Sequence, residues 1–401
     1  MKKSISLLIA IVFAGVSGCY FFSKTAAKGT FEYDLKFLQK YHPNLVVLED
    51  ANATSKLIIV PDYQARVMTS TSSGNNGISY GWINHELIAS GRLQAHINAF
   101  GGEDRFWLGP EGGQFSIFFK KGVGFTLDNW QVPPSLDTEA FKVERVKKDE
   151  AVFSKKIMLE NYSGTPFSIQ VQRTIRILPK TKVESLLELS IAPEVEFVAY
   201  ETDNVVRNIS NQNWDKNSGL LSVWILGMLN ASENTTIIAP YREGNETTHG
   251  KIVTKDYFGD IPQERLKIGP KAITLKADAN FRSKIGLSPL RALPVIGSYD
   301  AENNVLTIVQ YSMDTTQTAY VNSKWEIQQQ PFAGDVVNAY NDGPVNGKQL
   351  GRFYELESSS PAIALAKGES VRHIHRTMHF KANKKQLNSI AEKLLGIGIQ
   401  M

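Results

Sequence analysis

Apolar side chains at Phe31, Leu35, Phe37 and Leu38 fall near helical spacing and predict a short helix ending about Tyr41. From about Asn44 the texture changes to short apolar or alternating runs closed by turn residues. Leu57-Ile58-Ile59-Val60 stops at Pro61-Asp62, and Phe115-Ser116-Ile117-Phe118-Phe119 stops at Lys121-Gly122. Both predict strands. Ser168 to Ile177 alternates apolar and polar residues, as a strand with one solvated face does. Lys182 to Ile191 reads as its antiparallel partner, with Pro179-Lys180-Thr181 as the turn. The pattern continues through Val305–Tyr311 and Val371–Phe380. It ends in a predicted helix, Lys384 to Leu395, whose Leu387, Ile390, Ala391 and Leu394 make an apolar stripe.

No Pro/Gly/Ser-rich linker and no fixed-period repeat interrupts the run from Asn44 to Phe380. Residues 31–401 therefore read as a single domain of the all-β class, an antiparallel sandwich or barrel with short N- and C-terminal helices.

The first residues follow another logic. Lys2 and Lys3 precede the apolar stretch Ile5–Val16, and Val16-Ser17-Gly18-Cys19 closes it with small residues before a cysteine. This is the layout of a secretory signal. The last four residues resemble the bacterial lipobox, which implies a signal peptide over 1–18, a lipid on Cys19 and a tether over 19–30. The competing reading is an ordinary signal with an accidental cysteine. No aspartate follows Cys19, and by resemblance to lipoprotein sorting this favours the outer membrane, with the protein facing the periplasm. Cys19 is the only cysteine of the 401 residues, so the mature chain has no internal disulfide and no thiolate for catalysis or zinc.

Composition adds little beyond a globular chain: 42% hydrophobic and 21% charged residues. The net charge of +4 is dispersed, which gives no reason to expect nucleic acid as a partner.

Polar, aromatic and glycine residues bunch in a few segments. In Gly101 to Gln114, glycines and a proline set a looped backbone decorated by Glu103, Asp104, Arg105, Trp107 and Glu111. In Ala277 to Gly286, strand alternation puts Arg282 and Lys284 on one face. Tyr320 to Glu326 carries Trp325. Gly334 to Pro344 carries Asp335, Asn338, Tyr340 and Asn341 before the turn signal Asn341-Asp342-Gly343. In Gly351 to Pro361, Glu355 and Glu357 share a strand face. On an interior face they need partners, and one could carry a raised pKa suited to proton transfer; on an exterior face they form a solvated edge. His373, His375 and His379 also share a face, but no cysteine or local carboxylate completes a ligand set. A polar strand face is the better reading, and no metal or cofactor is expected. His96, just before the first polar segment, is a further acid–base candidate.

Taken together, Gly101 to Glu111, Arg282 to Gly286, Gly334 to Gly343 and Phe353 to Pro361 resemble the galactose-mutarotase-like superfamily, in particular a Bacteroidetes lipoprotein branch of it. The resemblance spans about Asn44 to Phe380. It implies a large twisted β-sandwich whose concave face binds sugars. In the active epimerases of that superfamily a late strand glutamate is the general base at the anomeric hydroxyl, and histidines act as acid at the ring oxygen. Leu356-Glu357 with Pro361 is similar to the late motif; its spacing to proline differs, so Glu355 competes with Glu357. The paired histidine motifs are missing at their usual contexts, which leaves His96 as the acid. The resemblance thus implies Glu357, Glu355 and His96 as catalytic candidates. Asp104, Arg105, Trp107, Lys284, Trp325, Asp335 and Asn338 become candidate contacts to a carbohydrate ligand. The function so implied is a carbohydrate-binding or carbohydrate-active periplasmic lipoprotein. The alternative is a structural or accessory lipoprotein with a non-catalytic cleft.

Overall fold

The computed structural model describes residues 26–362 and 364–399. Cys19, the signal and most of the tether lie outside the described residues. Most of the regular structure is antiparallel sheet. Three strands, Val46–Glu49, Lys56–Val60 and Arg66–Thr71, form a small sheet. Ten strands form a large one, ordered Leu266–Ile268, Ala272–Lys276, Thr235–Pro240, Val295–Asp300, Val305–Tyr311, Ser370–Lys381, Glu196–Asn208, Pro166–Ile177, Glu150–Glu160 and Lys142–Val146. Five strands form the third, ordered Ser283–Leu287, Val337–Asn341, Phe353–Ser359, Ser222–Asn230 and Arg105–Gly109.

The five-stranded sheet lies on the ten-stranded one, and strand alternation decides what each face carries. Phe106, Leu108, Val223 and Ile225 point inward and pack with Phe153, Val171, Val198 and Tyr200 of the large sheet. Ile285, Val337, Ala339 and Leu356 do the same against Ile237, Ile273, Ile296 and Val309. The intervening residues, among them Arg105, Lys284, Asn338, Glu355 and Glu357, are thereby turned to the outer face.

Helices close the remaining apolar surfaces. Lys384–Leu395 buries Leu387, Ile390, Ala391 and Leu395 against Ile238, Leu306, Ile308, Met378 and Phe380 on the far side of the large sheet. Asn383 caps its start by accepting from the Gln386 amide, and Gly396, at φ 73°, ends it. Phe31–Tyr41 packs with Met68 and with Leu87 of the short helix His85–Ser90. The two helices are tied by His85 Nε2 and Asp34 Oδ1 at 2.7 Å.

Three expectations need correction. Lys180–Leu187 is a helix, not a strand; Val183 and Leu187, one turn apart, are buried on one side. The Leu186-Leu187 doublet already breaks a two-residue period, and Pro179 is the extended residue that starts the helix. Strand Pro166–Ile177 pairs instead with Glu150–Glu160 and Glu196–Asn208. Residues 115–119 join no sheet; their aromatic rings build a wall described below. Conversely, the segment read as one loop from 101 to 114 contains an edge strand, Arg105–Gly109, paired with Ser222 to Leu226.

Candidate functional site

The outer face of the five-stranded sheet is the floor of a cleft of about 1940 Å³. The register places its chemistry in rows across the strands. Lys284 lies opposite Tyr340, which lies opposite Glu355; Gly286 lies opposite Asn338, which lies opposite Glu357. Leu226 then stands between Glu357 and Arg105. Gly286 is required here by close approach: a Cβ would sit 2.2 Å from Asp335 Oδ2 and 2.5 Å from Asn338 Nδ2. A missing side chain makes room for two polar ones.

Glu357 is fully buried. Its Oε2 accepts from Trp224 Nε1 and from Lys284 Nζ, each at 2.9 Å, while its Oε1 has no partner. Glu355 Oε1 accepts from Arg105 Nη2 at 2.6 Å. Burial pushes the Glu355 carboxyl up to about 7; Arg105 opposes this and Glu357 adds to it. Burial works against the Lys284 ammonium, but Glu357 and Glu111 outweigh it and hold its pKa above the ordinary lysine value. Glu111, at the cleft wall, is raised by burial, with Lys284 opposing and Glu357 reinforcing.

The walls come from loops. Asp335 accepts from the Tyr257 hydroxyl and from Thr254 Oγ1, and burial nonetheless raises its pKa. Asn338 Nδ2 donates to the Tyr257 hydroxyl at 3.0 Å. Trp325, half-buried, stacks on Trp130 at 5.9 Å and meets Phe119 edge-on at 5.1 Å. His96 lines the cleft with its Nδ1 2.7 Å from the Trp130 carbonyl oxygen. A carbonyl only accepts, so Nδ1 carries the proton and Nε2 of the neutral ring is an acceptor.

The structure thus brings Lys284, Trp325, Asp335, Asn338 and His96 to the cleft surface. Glu355, Glu357 and Arg105 lie just beneath its floor. Two expected ligand contacts do not belong to it. Asp104 points the other way, into the space between the sheets, where it is fully buried, pairs with Arg173 and accepts from Thr202 Oγ1 at 2.8 Å. Trp107 shares a face with Arg105 but is buried under it, with the guanidinium 4.8 Å from its ring and Trp224 and Phe118 against its sides. It supports the floor rather than touching a ligand.

The three histidines of strand Ser370–Lys381 do share a face, and that face looks inward. Ser358 Oγ lies 2.8 Å from both His373 Nε2 and His375 Nδ1, and His379 bridges Thr307 Oγ1 and Glu103 Oε2. Burial lowers His373 to about 3 and His375 to about 4, so both are neutral rings. Among the described residues, no group of three or more histidine, cysteine, aspartate or glutamate side chains is arranged to hold a metal.

Sequence reasoning missed Trp224, Tyr257, Phe258 and Trp130. Trp224 sits in an almost wholly apolar strand, where it reads as core, although alternation with Val223 and Ile225 puts it on the Glu357 face. The others come from loops and carry no period.

The molecule is therefore a mostly β protein of large antiparallel sheets, with a polar, aromatic-walled cleft on the outer face of one of them. Residues 29–401 match the model of a family of unknown function (DUF6786), and the chain belongs to that family. No curated protein matches the chain. Solved structures similar to it include a structural-genomics target from Synechocystis sp., with 12% identity, 84% of this chain and 96% of that one covered, and a TM-score of 0.49. A candidate aldose 1-epimerase from Escherichia coli matches at 11% identity, with 84% and 98% covered and a TM-score of 0.47. A galactose mutarotase-like protein from Lactobacillus casei matches at 9%, with 84% and 100% covered and a TM-score of 0.49. At this distance no residue role passes from them to this chain.

Proposed function

We propose that the cleft binds a carbohydrate and that Glu357 and Glu355 form its acid–base centre. The observation that carries this is Glu357 Oε1, a buried carboxylate oxygen with no donor. Leaving such an atom unpaired costs about 1–3 kcal/mol or more, and a ligand hydroxyl supplies what it lacks. Around it stand what a sugar ring needs: amide and carboxyl groups at Asn338 and Asp335 for hydroxyls, and the Trp325 ring for an apolar face.

The chemistry this supports is anomer interconversion. Glu357 takes the anomeric hydroxyl proton as general base, while a protonated group gives a proton to the ring oxygen as its bond to the anomeric carbon breaks. The Glu355 carboxyl does this directly, and His96 only once its Nε2 has gained a proton. Glu357→Gln is expected to lower the rate of mutarotation by roughly 10²-fold or more while ligand binding changes much less. Polarimetry and calorimetry on the same preparation check this. Wild-type protein that binds sugar yet leaves mutarotation at the spontaneous rate would remove the catalytic half of the proposal.

One observation favours the second reading, an accessory protein with a non-catalytic cleft. Both carboxylates already have cationic partners, and neither lies on the cleft surface. Binding without turnover is the outcome that selects it.

The N-terminal motif supports a lipoprotein held at the outer membrane and facing the periplasm through Cys19. Cys19→Ser is expected to abolish palmitate labelling and to release the protein from the membrane fraction or leave it as precursor. Labelling that survives the substitution rules the anchor out.

A further inference from the structure

We infer that the ligand is a neutral oligosaccharide several units long, lying across the five strands, rather than a free monosaccharide. The inference rests on the carbohydrate reading above and specifies its substrate class. The first observation is size. The cleft encloses about 1940 Å³, whereas sites for drug-sized ligands enclose roughly 300–1,000 Å³. One sugar ring at Glu357 leaves most of it empty.

The second observation is that aromatic surfaces stand at both ends. Trp325 and Trp130 belong to a chain of rings that runs through Phe118 to Trp107 on the edge strand Arg105–Gly109. Phe258 stands at the opposite edge, its ring 5.9 Å from Tyr340 and covered at 4.0 Å by the guanidinium of Arg282, which directly precedes strand Ser283–Leu287. Five strands at about 4.8 Å spacing separate the two edges by about 19 Å. The carboxylate strand Phe353–Ser359 is the middle one. A single ring over the carboxylates cannot touch both platforms; a chain of sugars can.

Charge selects against a polyanion. Equal numbers of basic and acidic side chains line the cleft. Arg282 makes no ion pair among the described residues, and its buried Nε has no hydrogen-bond partner. With Asp342 close enough to feel its charge, Arg282 offers donors to hydroxyl oxygens without making the cleft cationic. Phe258 is 45% exposed, which leaves apolar surface open to a sugar face.

The test is titration calorimetry of the processed chain against ladders of neutral β- and α-linked gluco-, xylo- and manno-oligosaccharides, from the single sugar to the hexasaccharide. At least one ladder should tighten by about tenfold or more between monosaccharide and tetrasaccharide and then level off. Phe258→Ala, at an exposed ring whose loss the fold tolerates, should erase most of that gain with length. Equal affinity along every ladder overturns the inference and leaves the carbohydrate reading standing, as does a ladder that Phe258→Ala does not alter. Failure of every sugar to bind overturns both.

Discussion

Two pairs of carboxylates flank the five-stranded sheet, one pair on each side, and they are treated differently. On the inner side every oxygen of Glu103 and Asp104 is occupied. Glu103 accepts from the Ser70 amide, Ser70 Oγ, the Tyr200 hydroxyl and His379; Asp104 accepts from Arg173 and Thr202. On the outer side Glu355 is driven toward its neutral form and Glu357 keeps an oxygen with no donor. Burial alone does not separate them, since all four are buried. What separates them is satisfaction. A closed set of hydrogen bonds holds two sheets together, and an open one waits for a ligand.

The sharpest way to break this comparison is to neutralise one member of each pair. Asp104→Asn leaves the Arg173 guanidinium buried without its counter-charge and is expected to cost about 3–5 kcal/mol in denaturant unfolding. Glu357→Gln keeps shape and leaves Lys284 beside Glu111, with its side chain 12% exposed, so it should cost less than about 2 kcal/mol. Equal losses would show that both pairs are structural and that the open oxygen has no special meaning.

This contrast was only half legible in the sequence. Same-face spacing brought out Glu355 with Glu357 and Arg282 with Lys284, because a two-residue period survives into the fold wherever a strand has one buried face. The same rule separates Asp104 from Arg105, neighbours that must point to opposite sides, yet the glycine-rich setting reads as a loop and hides it. Gly102, at φ 113° with Arg66 Cδ where a Cβ would lie, belongs to that loop, and the strand begins three residues later. Depth is illegible altogether. Trp107 and Lys284 lie on one face of one sheet, but only the structure shows that aromatic rings from residues 115–130 roof over the first and leave the second open. The extents of long periodic elements such as Ser370–Lys381 and Lys384–Leu395 were readable, but hydropathy gave the buried face only of the helix: in the strand His373 and His375 are fully buried and Ile374 only partly so.

A pH-dependent effect isolates Glu355. Burial raises its pKa from an ordinary carboxyl value near 4.5 to about 7. Between those values the folded protein holds a proton that the unfolded chain has released, so stability must fall as pH rises through the window. The contribution is fully present below about 4.5 and is lost above about 7. Its size is up to about 3 kcal/mol, the pull of Arg105 being already contained in the value of about 7. His373 and His375 slope the other way, because their lowered values make the folded state bind fewer protons as pH falls below 6.5. The observable is therefore a difference. Glu355→Gln cannot titrate, so its stability relative to wild type should rise steadily from about pH 4.5 to 7 and then stay flat. Urea melts of both proteins across that range, taken without ligand, give the difference directly. A difference that does not change with pH would mean that Glu355 is ionised throughout, locked to Arg105 like the inner carboxylates, and that the outer face holds no proton to give.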